Sequence, residues 1–375
     1  MTATAADPKK ARASWKTRVR RWLLAPLKRL FLGLLVVWTS LAVYYSNLPW
    51  AWLRLVLAVA VAAFSVWALW LSRRPRTRAA AHEPKPVGTS GNQAEIKPSS
   101  PTAAHGPGLA FAGLFGSVLV WYISIPPSHD RPWQPGVAVM PRATIDGDRV
   151  RITGFRNFDY RTRDDFTERW EDREVSLSHL TSVDFFLSCW GVGPVGHTFV
   201  SFNFDDAPPV CVSIEARTEV GERWAPVPAL FKQFELIYVV GAERDVVGVR
   251  TNHRDEEVYL YRIRTAPENA RRLFLVYLDR INELADRPEW YHLLSNNCTN
   301  NIVRHANAAG RVGRWDIRHL LNGWADRYLY DAGLVDTSLP FEELRRRSRI
   351  NDAARAAGDG PDFSHRIRES LPGEH

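Results

Sequence analysis

The first third of this 375-residue chain holds three long apolar runs, and they confine it to a membrane before any other feature is weighed. Residues 30–46 read LFLGLLVVWTSLAVYYS, residues 51–72 are apolar apart from Arg54, and residues 108–125 stop at Pro126 and Pro127. Crossing the hydrocarbon layer takes roughly 17–25 helical residues. Each run is therefore a span, the first and third with some flanking residues dipping into the interface. Trp50, Trp52, Trp70, Trp121, Tyr44, Tyr45 and Tyr122 fall near the run ends, where amphipathic rings sit at the lipid–water boundary. One such run could be a buried core helix; three without a charged face argue against it. No small-residue cleavage site follows the first, so a removable signal peptide is a poor fit.

The charge follows the runs. The formal net charge is +8, which would suit a nucleic-acid partner if it lay in one stripe. Instead residues 1–126 carry sixteen Lys and Arg against three acids, a surplus of +13, which leaves the remainder at −5. A mildly acidic domain cannot track a phosphate backbone, so no nucleic-acid partner is expected. The tail 1–29 and the linker 73–107 are rich in Lys and Arg, while the connection 47–49 is uncharged. Positive charge stays on the cytoplasmic side. Three crossings within 30–126 then put residues 127–375 on the periplasmic face of a bacterial inner membrane. The linker's Pro, Gly, Ser and Ala content predicts disorder.

Within 127–375, strands come first and helices later, the order of an α+β domain rather than a doubly wound sheet. Asp146–Gly147 between residues 143–145 and 149–153 signals a hairpin. Strands are expected over 183–189, 197–204, 209–217, 236–240 and 258–263, while 231–251 is ambiguous. Thr265, Pro267 and Glu268 read as a capping box with proline in the first turn. Ala270, Leu273, Phe274, Tyr277, Leu278, Ile281 and Leu284 then recur at helical spacing as far as Pro288. A second helix should open at Asn297 or Cys298 and end near Gly310, with further helices over 315–332 and 341–357.

Two segments carry chemistry. Gly196-His197-Thr198-Phe199 puts a histidine at the start of an alternating strand, and Asn296-Asn297-Cys298-Thr299 puts a cysteine where a helix begins. Asn297 can cap that helix. Cys298 then sits in the first turn, where the helix dipole favours a thiolate and free N–H groups can hold an oxyanion. A histidine would complete a nucleophile–base pair. His305 lies two turns along, roughly 11 Å away, too far for direct contact. His292 stays open, and His197 is preferred. If strands 197–204 and 209–217 pair through an odd-length loop, Glu215 faces His197; an even-length loop puts Ala216 there instead. Cys189 and Cys211 lie on hydrophobic strands as expected buried thiols, though the periplasm permits a bridge. Three cysteines are too few for a disulfide scaffold, and no CxxC or HExxH spacing points to a metal. No cofactor is expected.

The string from Phe155 to Phe363 resembles the family named for the periplasmic domain of Lnb, the bacterial lipoprotein transacylase. Its most specific pieces are Ser182-Val-Asp-Phe-Phe-Leu-Ser188, His197-Thr-Phe, Ser213-Ile-Glu-Ala-Arg217, Glu235-Leu-Ile-Tyr238 with Glu243-Arg-Asp245, Asn296-Asn-Cys-Thr299 and Thr337-Ser-Leu-Pro-Phe341. The order of a strand histidine before a helix-opening cysteine also resembles permuted papain-like enzymes of the lecithin:retinol acyltransferase type. These resemblances imply a permuted papain-like domain, an antiparallel sheet with packed helices, behind the three transmembrane helices. They imply an acyl-thioester on Cys298 with His197 as base, and transfer of a fatty acyl chain from a lipoprotein's diacylglyceryl group to an amine.

The chain is thus expected to be a membrane-tethered periplasmic thiol acyltransferase or transacylase acting on a lipid or lipoprotein ester. Cys298, His197 and Glu215 would do the chemistry, and Asn297, Asn296 and Thr299 would shape the oxyanion site. Two alternatives stay open: an amidase or peptidase of cell-wall peptide, and a non-catalytic envelope scaffolding module.

Overall fold

The computed structural model describes residues 23–72, 106–191, 194–311, 313, 316–369 and 371. The tail up to residue 22 and the linker over 73–105 lie outside them. The chain divides into two compact units, Met1–Pro126 and Pro127–His375.

Among its described residues the first unit has three helices, α1 (Ala25–Tyr44), α2 (Ala51–Leu71) and α3 (Gly106–Ser124), each long and apolar enough to cross a membrane. Helices satisfy every backbone polar group internally, as hydrocarbon requires. α1 starts five residues ahead of the expected run because Pro26 opens its first turn. Trp38 of α1 packs edge-on to Tyr122 of α3, with ring centroids 5.4 Å apart.

The second unit is built on an eight-stranded sheet. Its strands are β1 (Arg142–Asp146), β2 (Arg149–Arg156), β5 (Trp170–Ser176), β6 (Leu180–Cys189), β7 (His197–Phe204), β8 (Val210–Arg217), β9 (Glu235–Gly241) and β10 (Glu257–Arg262). The short pair β3 (Asp159–Tyr160) and β4 (Phe166–Thr167) stands apart. The order is β1-β2-β9-β8-β7-β6-β10, with β5 also on β2. β6 to β9 form a central antiparallel meander. β2 joins β9 in parallel at Arg156 and Gly241, so the sheet is mixed and not wholly antiparallel as expected. Gly241 permits this approach, because a Cβ there would lie 2.5 Å from the Arg156 carbonyl oxygen. The β1–β2 hairpin turns at Gly147 and Asp148, with Gly147 at φ +60°. β5 was not foreseen: its run of Glu171, Asp172, Arg173 and Glu174 hides the alternation a strand normally shows.

Alternation along the meander sends side chains to two cores. Phe185, Val200, Phe202, Val212, Ile214 and Tyr238 face α5 (Pro267–Asp286) and α6 (Cys298–Ala308). Phe202 meets Phe274 of α5 with centroids 4.7 Å apart. On the other face Phe186, Phe199, Cys211, Val239 and Leu260 meet the short helix α4 (Glu243–Val246) and the C-terminal helices α9 (Asn351–Ala357) and α10 (Phe363–Arg366).

Three helix expectations need correction. α5 has no capping box at Thr265: Pro267 takes the first helical position, which makes Ala266 the N-cap, with no side-chain bond. The segment expected as one helix over 315–332 is two 3-10 turns, Ile317–His319 and Asn322–Trp324, followed by α7 (Ala325–Asp331). Its continuity is broken because Gly323 donates to the Pro194 carbonyl at 2.8 Å. The helix expected over 341–357 is split into α8 (Phe341–Ser348) and α9, because Ile350 donates its N–H to Val258 at 3.0 Å.

Candidate active site

Cys298 is the first residue of α6, and Asn297 is its N-cap. The Asn297 Oδ1 accepts from the Asn300 N–H at 2.8 Å, and its carbonyl accepts from Asn301 at 3.1 Å. Among the described residues no partner takes the N–H groups of Cys298 and Thr299, the two left at the positive end of the helix.

His197 opens β7. The β7–β8 register pairs Phe199 with Ser213 and Phe202 with Val210. The loop is therefore odd in length, and Glu215 stands opposite His197. The His197 Nε2 lies 3.2 Å from Glu215 Oε1 and 2.7 Å from Ser213 Oγ, and Ser213 in turn donates to Glu215 Oε1 at 2.7 Å. Nε2 is thus engaged by Ser213 and Glu215, and Nδ1 is the ring nitrogen that neither of them takes. Glu215 is fixed from behind by Arg250, whose guanidinium donates to Glu215 at 2.7 Å and to Glu256 at 2.9 Å while lying over the Phe199 ring. Glu256 also accepts from Ser188 at 2.5 Å.

This arrangement inverts the usual order of titration. Burial opposes charge on the Cys298 thiol, but the charge and hydrogen bond of His197, with hydrogen bonds from Thr198, outweigh it and bring the thiol down to about 6. Burial likewise opposes charge on His197. Glu215 overcomes it, Arg250 subtracts and Cys298 adds, and the imidazole is pushed up to about 9. Glu215, despite burial, is held well below the usual carboxylate range by His197 and Arg250. The pair titrates as a unit, and the direction of both shifts favours a thiolate beside an imidazolium. Both side chains are nearly enclosed, at 3% and 8% exposure for Cys298 and His197.

The other histidines are placed differently. His305 is buried against Tyr238, with Nε2 2.7 Å from the phenol oxygen, and burial drives it down to about 3. The His292 Nδ1 lies 2.9 Å from Ser295 Oγ in the loop ahead of α6. Cys189 and Cys211 are free thiols; burial pushes Cys189 up to about 11 and Cys211 well above its ordinary value.

The residues named for the oxyanion divide. Asn297 spends its side chain on the cap and on the Leu293 carbonyl. Asn296 bonds the Trp290 carbonyl at 2.9 Å and accepts from Asn301 at 3.0 Å, so it ties the loop to the helix. The Asn296 Nδ2 has two acceptors, Glu289 and the Trp290 carbonyl, whereas Asn297 Nδ2 donates to the Leu293 carbonyl and keeps a second hydrogen. Thr299 stays at the site, its hydroxyl 2.8 Å from that of Thr198 and 3.8 Å from the Cys298 sulfur. Asn322, which the sequence did not single out, donates from Nδ2 to Thr299 Oγ1 at 3.1 Å and reaches the Cys298 sulfur at 3.7 Å. Asn322 falls inside the segment whose pattern predicts one helix over 315–332, so its role had no signal. The same holds for Ser213 and Arg250, which matter only through register.

Beside Thr299 an apolar cavity of about 280 Å³ opens between the sheet, α5, α6 and α7, lined by Phe185, Val200, Leu273, Ile302, Ala306 and Leu329 among others. Trp190, Val195, Val220, Val227, Leu294 and Trp324 are exposed on loops at the same end of the sheet as His197.

Residues 166–323 match the family model described as the Lnb N-terminal periplasmic domain. This segment belongs to that family. The Lnb-type match runs from β4 to Gly323 and takes in His197, Ser213, Glu215, Arg250, Cys298 and Asn322. Two stretches of the resembling string, 155–165 and 324–363, lie outside it. No curated protein and no solved structure matches the chain. An Lnb-type periplasmic domain behind three apolar helices fits an inner-membrane protein of the cell envelope with its C-terminal unit in the periplasm.

Proposed function

We propose that this protein is a thiol acyltransferase of the periplasmic membrane face, working on an acyl ester of a membrane lipid or lipoprotein. One arrangement carries the reading: Cys298 opens α6, Glu215 lies 3.2 Å behind the His197 imidazole, and their surroundings shift the thiol down and the imidazole up. That is the resting state of a nucleophile that needs no further activation.

The thiolate attacks the ester carbonyl, and the C=O electron pair moves onto oxygen, facing the N–H groups at the start of α6. The tetrahedral intermediate collapses by breaking its C–O ester bond. The His197 imidazolium gives its proton to the leaving alkoxide, which leaves an acyl-thioester on Cys298 and a neutral imidazole. An amine, hydroxyl or water then attacks the thioester. His197 takes that nucleophile's proton and the thiolate is restored.

The surroundings support a lipid over a cell-wall peptide. The cavity next to Thr299 is walled mainly by aliphatic and aromatic side chains, with Arg264, Asn269, Arg311 and His319 among its polar members, and the neighbouring loops expose Trp, Val and Leu side chains. A peptide amidase calls for polar groups along its cleft. A scaffolding role gives no reason for the Cys298–His197–Glu215 coupling. The order of strand histidine before helix cysteine, as in permuted papain-like enzymes, also favours the thiol-enzyme reading.

The test is the full chain in lipid nanodiscs with a diacylglyceryl lipopeptide or a phospholipid carrying a labelled acyl chain. Label should appear on Cys298 as a hydroxylamine-sensitive thioester, absent in Cys298→Ser. Label on another residue, or none from any ester while Cys298 alkylates normally, overturns the proposal.

A further inference from the structure

Asn322 is 6% exposed and its amide is locked in one orientation. Its Oδ1 accepts from the Gly196 N–H at 2.9 Å and its Nδ2 donates to Thr299 Oγ1 at 3.1 Å. Exchanging the two atoms would set donor against donor at Gly196. Nδ2 carries two hydrogens, and Thr299 takes one. The second has the Cys298 sulfur beside it at 3.7 Å, the long end of a hydrogen bond to sulfur.

We infer that Asn322 is the side-chain donor for the oxyanion formed on Cys298, a catalytic residue supplied from outside the cysteine helix. The inference rests on the acyl-transfer reading above. When the sulfur bonds to the carbonyl carbon, negative charge leaves sulfur and collects on the oxygen one atom beyond that carbon. A donor rather far from the thiolate is then brought within reach of the oxygen. Such a bond is weak before reaction and strong at the transition state, which is how a donor lowers a barrier. The other amides near the helix start are held differently: Asn296 donates to Glu289 and the Trp290 carbonyl, and Asn297 is turned to the cap and the Leu293 carbonyl, and neither donates to the Cys298 sulfur. The N–H groups of Cys298 and Thr299 supply donors from the helix. Asn322 supplies one from the turn that Gly196 ties to the start of β7, next to His197.

Two reactions of the same thiol separate this role from a structural one. Alkylation by iodoacetamide displaces iodide at a saturated carbon and makes no oxyanion. Acylation by a p-nitrophenyl ester passes through one. The full chain in nanodiscs is compared with Asn322→Ala and Asn322→Asp; the second retains the acceptor for Gly196 and the side-chain volume while losing the donor. Rates are read at a pH where alkylation has reached its plateau, so that added charge beside the thiol does not enter. Acylation of Cys298 should fall by about 10²- to 10³-fold in both variants, with the plateau alkylation rate unchanged. Unchanged acylation overturns the inference, as does a parallel loss of both rates, which would make Asn322 a clamp for Thr299 and Gly196. If the unsubstituted chain alkylates at Cys298 but accepts no ester, the acyl-transfer reading itself fails, and this role with it.

Discussion

His197 Nε2 and Glu215 Oε1 stand 3.2 Å apart on neighbouring antiparallel strands, with the Ser213 hydroxyl bonded to both. The carboxylate orients the ring and stabilises its charged form, which in turn stabilises the thiolate. Glu215→Gln keeps the shape and removes the charge. It should lower the His197 pKa, raise that of Cys298, and slow thioester formation at neutral pH on the order of 10²- to 10⁴-fold. Single-turnover acylation across pH reads both effects. A rate unchanged at every pH would take Glu215 out of the site.

Selective chemistry at one of three cysteines follows from the same coupling. Cys298 titrates near about 6, whereas burial pushes Cys189 up to about 11 and Cys211 well above the ordinary thiol range. At neutral pH iodoacetamide should label Cys298 alone, with a half-maximal rate near pH 6. His197→Ala removes the facing cation and leaves burial unopposed by it, so the midpoint should move upward past the ordinary thiol value. Mass spectrometry of the labelled peptides decides it.

Chain-length dependence tests the cavity. Ala306 lines it from α6. Ala306→Leu adds bulk to the wall without touching Cys298. Turnover of a long-chain acyl ester should fall while an acetyl ester is unaffected. Equal effects on both would place the acyl chain elsewhere.

His305 gives the second unit an acid-side dependence. In the unfolded chain its pKa is near 6.5; in the fold burial lowers it to about 3. Above pH 6.5 it is neutral in both states and its contribution is intact. Between pH 6.5 and 3 only the unfolded chain takes up the proton, so stability falls with pH by up to about 1.4 kcal/mol per unit. His305→Gln should flatten the fall in thermal midpoint over that window. A variant with the same pH slope as the parent would rule His305 out as its source.

Arg368 closes the face opposite the cysteine helix. It donates to Asp184 at 2.9 Å, to Glu243 at 2.8 Å and to Asn203 at 2.9 Å, with 7% exposure. Arg368→Met leaves the buried Glu243 carboxylate without its cation, while Asp184 keeps Arg262, and should cost roughly 3–5 kcal/mol. The thermal midpoint should drop sharply while folded protein retains its Cys298 alkylation profile.

Much of this was legible along the chain, for reasons local to each segment. Apolar runs beyond helix-spanning length announce themselves without reference to partners. The strands of the meander show by alternation, α5 by its three-and-four spacing, and the start of α6 by Asn297, which caps with its own side chain. Cys298 and His197 were visible because each sits at the edge of such an element. The tertiary structure alone decided how the edges meet. Whether Glu215 or Ala216 faces His197 depends on loop parity, since one residue of slip sends every side chain to the other face. Asn296 and Asn297 look like substrate-binding amides in sequence, and only the folded loop reveals that they are held by the Trp290 and Leu293 carbonyls and the helix cap. Asn322 comes near the sulfur because Gly196 and Gly323 bind its turn to the start of β7, contacts between residues more than a hundred positions apart. The inverted titration of Cys298 and His197 has the same origin: it requires shared burial and contact, which composition and spacing do not contain.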